Sequence, residues 1–453
     1  MDVSGTDTRE EKNGIIEVDI DTDTDRQEGL KGRAMKERLG YLRNLFSPRT
    51  LWDAQEEEDW EDFDQKENYV SGEEYADESK KLAGIGSGIV YLAILVLVLV
   101  AFVAYHVMSR YHLYTGYSVT ASYEAEDIAG TRYEKLGNGF IKYGSDGVTF
   151  VNGKNETQWS LAYTIETPMT DVCKDTMLIY EQQGYFVEIV DTDGQIGSFQ
   201  TDLPILKGVV AKNGVTALML KDDQDVRIRL VSTDGTPLAE VRSTLEDQGH
   251  PLDIALSSNG QNLMASLIRI GSGTIDSTIA FYEFSSSVNS DDSHLKASIE
   301  YTDQVFPSVC YLSDSLAAAI GDSGFVTYST GKTPREKTRV NVPSEIMSTF
   351  HDSSYIGFVM ASDSPTDRFR MQVYTVNGKK TSDLTFRHGF SQIRMDSGEI
   401  LMNDSGHMQV FTPGGVARLD TDYEKQIGAF VKIPGFRRYA ILSNSGMERI
   451  KIE

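Results

Sequence analysis

For its length the chain is poor in histidine, cysteine and positive charge. It holds 7 His and 2 Cys among 453 residues, and 43 Lys plus Arg against 68 Asp plus Glu, a formal net charge of -25. A nucleic-acid binder needs a basic footprint to displace counterions, so this balance excludes nucleic acid as a partner. Two cysteines exclude a disulfide-stapled scaffold and a multi-cysteine metal centre. The histidines are His106, His112, His250, His294, His351, His388 and His407, and none forms an H-E-x-x-H pair. A G-x-S-x-G nucleophile elbow is also missing. The sequence therefore marks no catalytic, cofactor-binding or metal-ligating residue, and the reading is of a protein that is not an enzyme and carries no cofactor.

What is present begins with 40% hydrophobic and 10% aromatic residues, enough to exclude a chain disordered throughout. The acid is unevenly placed. Residues 1–81 hold 24 Asp plus Glu and 12 Lys plus Arg, whereas residues 82–109 hold no Asp, Glu, Lys or Arg. Inside that gap Ile89 to Tyr105 reads IVYLAILVLVLVAFVAY, with no polar stripe. A bilayer takes about 20 apolar residues in helical form, so 82–109 is predicted to be one transmembrane helix. It stands too far from residue 1 for a cleaved signal peptide. Lys80, Lys81 and a cluster from Lys31 to Arg49 flank one end, against Arg110 at the other. The positive-inside rule then puts the N-terminus in the cytoplasm and the C-terminal part outside the cell membrane. Tyr105, Tyr111, Tyr114 and Tyr117 are expected in the outer interfacial belt.

Residues 1–81 read as a cytoplasmic, acidic, mostly disordered tail. Within it LKGRAMKERLGYLRNLF, residues 30–46, spaces apolar residues helically among basic ones. That pattern suits contact with anionic lipid or with a protein.

Residues 113–453 repeat. An apolar strand, a polar turn, a second strand and a Gly turn recur, with the closing glycines at Gly153, Gly194, Gly235, Gly331, Gly378 and Gly415. Such hairpins fall near 140–151, 177–190, 215–231, 262–284, 315–328, 355–374, 399–411 and 439–452. Four-stranded propeller blades recur at about 40–50 residues. The fold class is therefore all-β, a β-propeller of eight blades, with seven as the alternative. The strand-like Tyr117–Glu124 is expected to complete the final blade and leave no free edge. Asp191, Asp193 and Gly194 read as a hairpin turn rather than a cation loop. Cys173 and Cys310, three units apart, read as two free buried thiols. Asn155 and Asn403 each open an N-x-S/T sequon.

The stretches YEKLGNGFIKYGSDGVTFVNGKNETQW (133–159), TDLPILKGVVAKNG (201–214) and GHPLDIALSSNGQNLMASL (249–267) are similar to an uncharacterised family. Its members are single-span membrane proteins of Gram-positive, clostridia-like bacteria, with an extracytoplasmic WD40-like and quinoprotein-like propeller. The resemblance implies no activity. Trp159 resembles the blade-locking tryptophan of quinoprotein repeats. Architecture without a catalytic constellation points to a membrane-anchored binding or scaffold module for an envelope protein, peptide or glycan. The alternatives are a transmembrane sensor and an envelope hydrolase with a site in the propeller channel.

Overall fold

The computed structural model describes residues 91–453 except 106, 109–110, 244–248, 272 and 285–293. The tail and its 30–46 segment lie outside the described residues, and the 82–109 span lies partly outside them. The described part of that span is helical over 91–105, with every side chain exposed. Among the described residues no helix is long and apolar enough to cross a membrane.

Beyond the helix, the described residues form thirty-two strands in eight four-stranded antiparallel sheets. Seven are sequential meanders over residues 132–162, 168–200, 205–243, 250–302, 308–341, 346–386 and 392–422, here blades 1 to 7. Blade 8 runs, from its inner strand outward, Ala429–Lys432, Arg438–Ser443, Gly446–Ile452 and finally Tyr117–Glu124. The expected eight blades and the expected closing strand are both present. Tyr117 pairs with Ile452 and Glu124 with Gly446, so the first strand of the ring covers the edge of the last.

Each of the eight interfaces between blades has its own apolar cluster. Strand side chains alternate between faces, so one strand feeds two clusters. In Thr176–Glu181, Met177 and Ile179 pack toward blade 1, while Leu178 and Tyr180 pack toward blade 3. That is why the middle hairpins read as continuous apolar runs and the outermost strands, such as Gln195–Gln200, alternate in exposure. Four of the closing glycines, Gly194, Gly235, Gly378 and Gly415, take a positive φ; Gly235 has φ +84°, and a Cβ there would meet Phe199 at 2.7 Å.

Trp159 locks neighbouring blades as expected. Its ring stacks on Phe150 at 5.7 Å, and its Nε1–H donates to the Thr192 carbonyl of blade 2 at 3.1 Å. Asp191 caps its own turn by accepting the Asp193 and Gly194 amides at 2.8 and 3.1 Å, which matches the hairpin reading. Asn403 is buried, so its sequon is not open to modification.

The interfacial-belt reading of Tyr114 needs correction. Tyr114 is only 5% exposed and belongs to the cluster between blades 7 and 8. Its amide donates to the Arg418 carbonyl at 2.9 Å, and the Arg437 guanidinium lies over its ring at 4.9 Å. Tyr117 likewise opens the closing strand and rests on Tyr423 at 5.8 Å. These two aromatics are claimed by the ring because it offers both of them apolar neighbours and gives Tyr114 two arginines over its face.

Candidate functional site

The innermost strands of the blades face the central channel, and their side chains set its chemistry. A cavity of about 660 Å³ at one part of this channel is lined by Asp171, Cys173, Lys207, Cys310, Tyr311 and His351, among others. Its charges are largely spent between blades. Lys207 of blade 3 pairs with Asp253 of blade 4. The other oxygen of Asp253 accepts the Val309 amide of blade 5 at 2.8 Å. Asp171 repeats the device from blade 2, accepting the Val210 amide at 2.8 Å. Burial raises the Asp171 pKa, while that amide and Lys207 oppose the rise.

Cys173 and Cys310 are free and both line this cavity, so the expectation of two unbridged thiols agrees with the fold. Their exposure is intermediate rather than fully buried. Burial nonetheless pushes the Cys310 thiol up to about 12, and it raises Cys173 too. Desolvation lowers the His351 pKa, with Asp352 opposing.

Around the channel, blades 1 and 7 meet through crossed ion pairs. Lys135 lies 3.0 Å from Asp396, and Arg394 lies 3.0 Å from Glu134. Asp396 also accepts the Lys432 amide of blade 8 at 2.8 Å.

A second constellation lies away from the channel, and spacing alone did not show it. His407 and Gln409 stand on the third strand of blade 7, opposite Asp422 and Asp420 on the fourth. Period-two alternation puts all four side chains on one face of the sheet. His407 Nδ1 lies 2.6 Å from Asp422 Oδ1, and Nε2 lies 2.8 Å from Asp420 Oδ1. His388, from the connection between blades 6 and 7, stacks on His407 with ring centroids 4.0 Å apart. Potential ligand atoms of His388, His407 and Asp420 all lie within 4.8 Å of one another. Hydrogen bonding to His407 lowers the Asp422 pKa. The other histidines do not join them. His112 packs edge-on against Tyr114, His294 packs against Phe284, and His106 lies outside the described residues.

Among solved structures, BamB from Moraxella catarrhalis is similar over 74% of this chain and 99% of its own, at 10% identity and TM-score 0.46. The Neurospora crassa Pan2 WD40 domain covers 63% of this chain and 87% of its own, at 12% identity and TM-score 0.39. Hydrazine synthase of Kuenenia stuttgartiensis covers 74% and 99%, at 11% and 0.41. No curated protein matches the sequence. The model of DUF5711, described as a family of unknown function, matches residues 110–452, and the chain belongs to that family.

Proposed function

We propose that the chain is a single-span membrane protein whose propeller stands outside the cell membrane as a binding or scaffold module for an envelope protein or peptide. The observation that carries the reading is the helix at 91–105. Leu92, Leu95, Leu97, Val100 and Phe102 are all more than half exposed around it, an arrangement that water penalises and lipid does not. Eight blades offer a broad face of loops for a partner. The channel charges are engaged in holding blades together, which supports recognition over catalysis.

The test is capture of envelope proteins by the full-length chain in detergent, with antibody access to a C-terminal tag on intact cells. Retention of a specific partner and an accessible tag are expected. A tag reached only after permeabilisation overturns the topology, and repeated capture of nothing overturns the scaffold.

A further inference from the structure

The geometry points to a divalent transition-metal site on the outer part of blade 7, with His388, His407 Nε2 and Asp420 as ligands and zinc as the fitting ion. The inference stands apart from the proposed function and rests on the geometry of one buried imidazole, its stacked neighbour and two carboxylates.

His407 is 8% exposed and meets a carboxylate oxygen at each ring nitrogen. A neutral imidazole has one N–H, so it satisfies only one of the two carboxylates. At the other nitrogen a lone pair would face an anionic oxygen across less than 3 Å, which is repulsive. A cation has to stand there, either a second proton or a metal ion. Among the described residues the carboxylates of Asp420 and Asp422 pair with His407 and form no ion pair with Lys or Arg.

His388 favours the metal. A second imidazole stacked 4.0 Å away supplies a second nitrogen donor, which a metal ion uses and a proton on His407 does not. Ligand atoms around tetrahedral zinc stand about 3.4 Å apart, given Zn–N and Zn–O bonds near 2.1 Å. The three here already fall within 4.8 Å, and a turn of the exposed His388 ring is enough to close the set. His407 stays fixed, since Asp422 holds Nδ1 and thereby leaves Nε2 for the ion, the carboxylate–histidine–metal arrangement. Gln409 Nε2 donates to Asp420 Oδ2 at 3.3 Å, which leaves Oδ1 directed at His407. Three protein ligands leave a fourth position for water or for a donor from a partner.

The test uses the full-length chain in detergent, stripped of metal, with Zn²⁺ competed against a chromophoric chelator and Co²⁺ read by its visible d–d bands. Wild type is expected to hold one more Zn²⁺ than His388→Ala or Asp420→Asn, and to give tetrahedral-type Co²⁺ bands that both variants lack. Asp422→Asn should keep the site but bind roughly 10–100-fold more weakly. His388 is exposed, so its alanine variant should match the melting temperature of metal-free wild type and lose only the rise produced by zinc. Equal zinc stoichiometry and affinity in wild type, His388→Ala and Asp420→Asn would overturn the site.

Discussion

Lys135 Nζ stands 3.0 Å from Asp396 Oδ1, which ties blade 1 to blade 7 past the inner strand of the blade between them. Among the described residues blade 8 is the one sheet built from distant parts of the sequence, with an inner strand of four residues, Ala429–Lys432. Asp396 holds Lys135 on one side and the Lys432 amide on the other, so one carboxylate joins three blades. Asp396→Ala should lower stability by about 2–3 kcal/mol, because it strands the Lys432 amide and leaves the partly buried Lys135 only the Lys432 carbonyl. Lys135→Met should cost less, since the amide bond survives. Urea midpoints of the two variants provide the check.

The Trp159 contact yields a second expectation. Trp159→Phe keeps an aromatic against Phe150 but removes the hydrogen bond to the Thr192 carbonyl. About 1–2 kcal/mol should be lost, visible as a melting-temperature drop of a few degrees. Trp159→Ala should lose more, because the stacking disappears as well.

The closing strand makes a prediction about solution state. Prolines at both Ser122 and Tyr123 guarantee the loss of a ladder hydrogen bond to Glu448 or Met447, since successive amides point in opposite directions. The edge at Gly446–Ile452 would then be open to another chain. Light scattering after size exclusion should show higher oligomers in the double variant and not in wild type.

The thiols should be slow. A Cys310 thiol pushed up to about 12 holds almost no thiolate at pH 8. Reaction of both cysteines with a water-soluble disulfide reagent should trail a small free thiol at pH 8 and reach its rate only on unfolding.

Acid should weaken one exposed cluster on blade 6. Hydrogen bonding from Arg370, and then from Lys380, lowers Asp383 to about 2. A depressed folded-state pKa adds stability above the unfolded value near 4, and that stability is lost as pH falls toward 2. The cluster is mostly exposed, so screening keeps the contribution under about 1 kcal/mol. Between pH 5 and pH 2, wild type should lose slightly more stability than Arg370→Gln, as read by urea midpoints.

The repeat was legible because its causes are local. Both faces of each middle hairpin are buried, so apolar runs between turns mark all eight, and the unclaimed segment 117–124 had one vacant edge to fill. Trp159 was legible through its place after a turn glycine. Tyr114 was misread because an aromatic beside an apolar helix looks the same whether lipid or a blade receives it. His388 and His407 lie 19 positions apart, one in the connection between blades 6 and 7 and one on a strand of blade 7, so no spacing rule joins them. A usable signal did exist. His407 with Gln409 and Asp420 with Asp422 each alternate along a strand, and the register of one hairpin brings the pairs together.

The ring's clasp also sets an order of events during synthesis. Strand Tyr117–Glu124 leaves the ribosome before any other strand of the propeller, yet its partner Gly446–Ile452 is the last to appear. Seven blades can fold in turn as they emerge, while the first strand stays single until the eighth arrives. A ribosome that stops short of residue 446 therefore releases an unclosed arc, with an orphan strand at one end and an unpaired edge at the other.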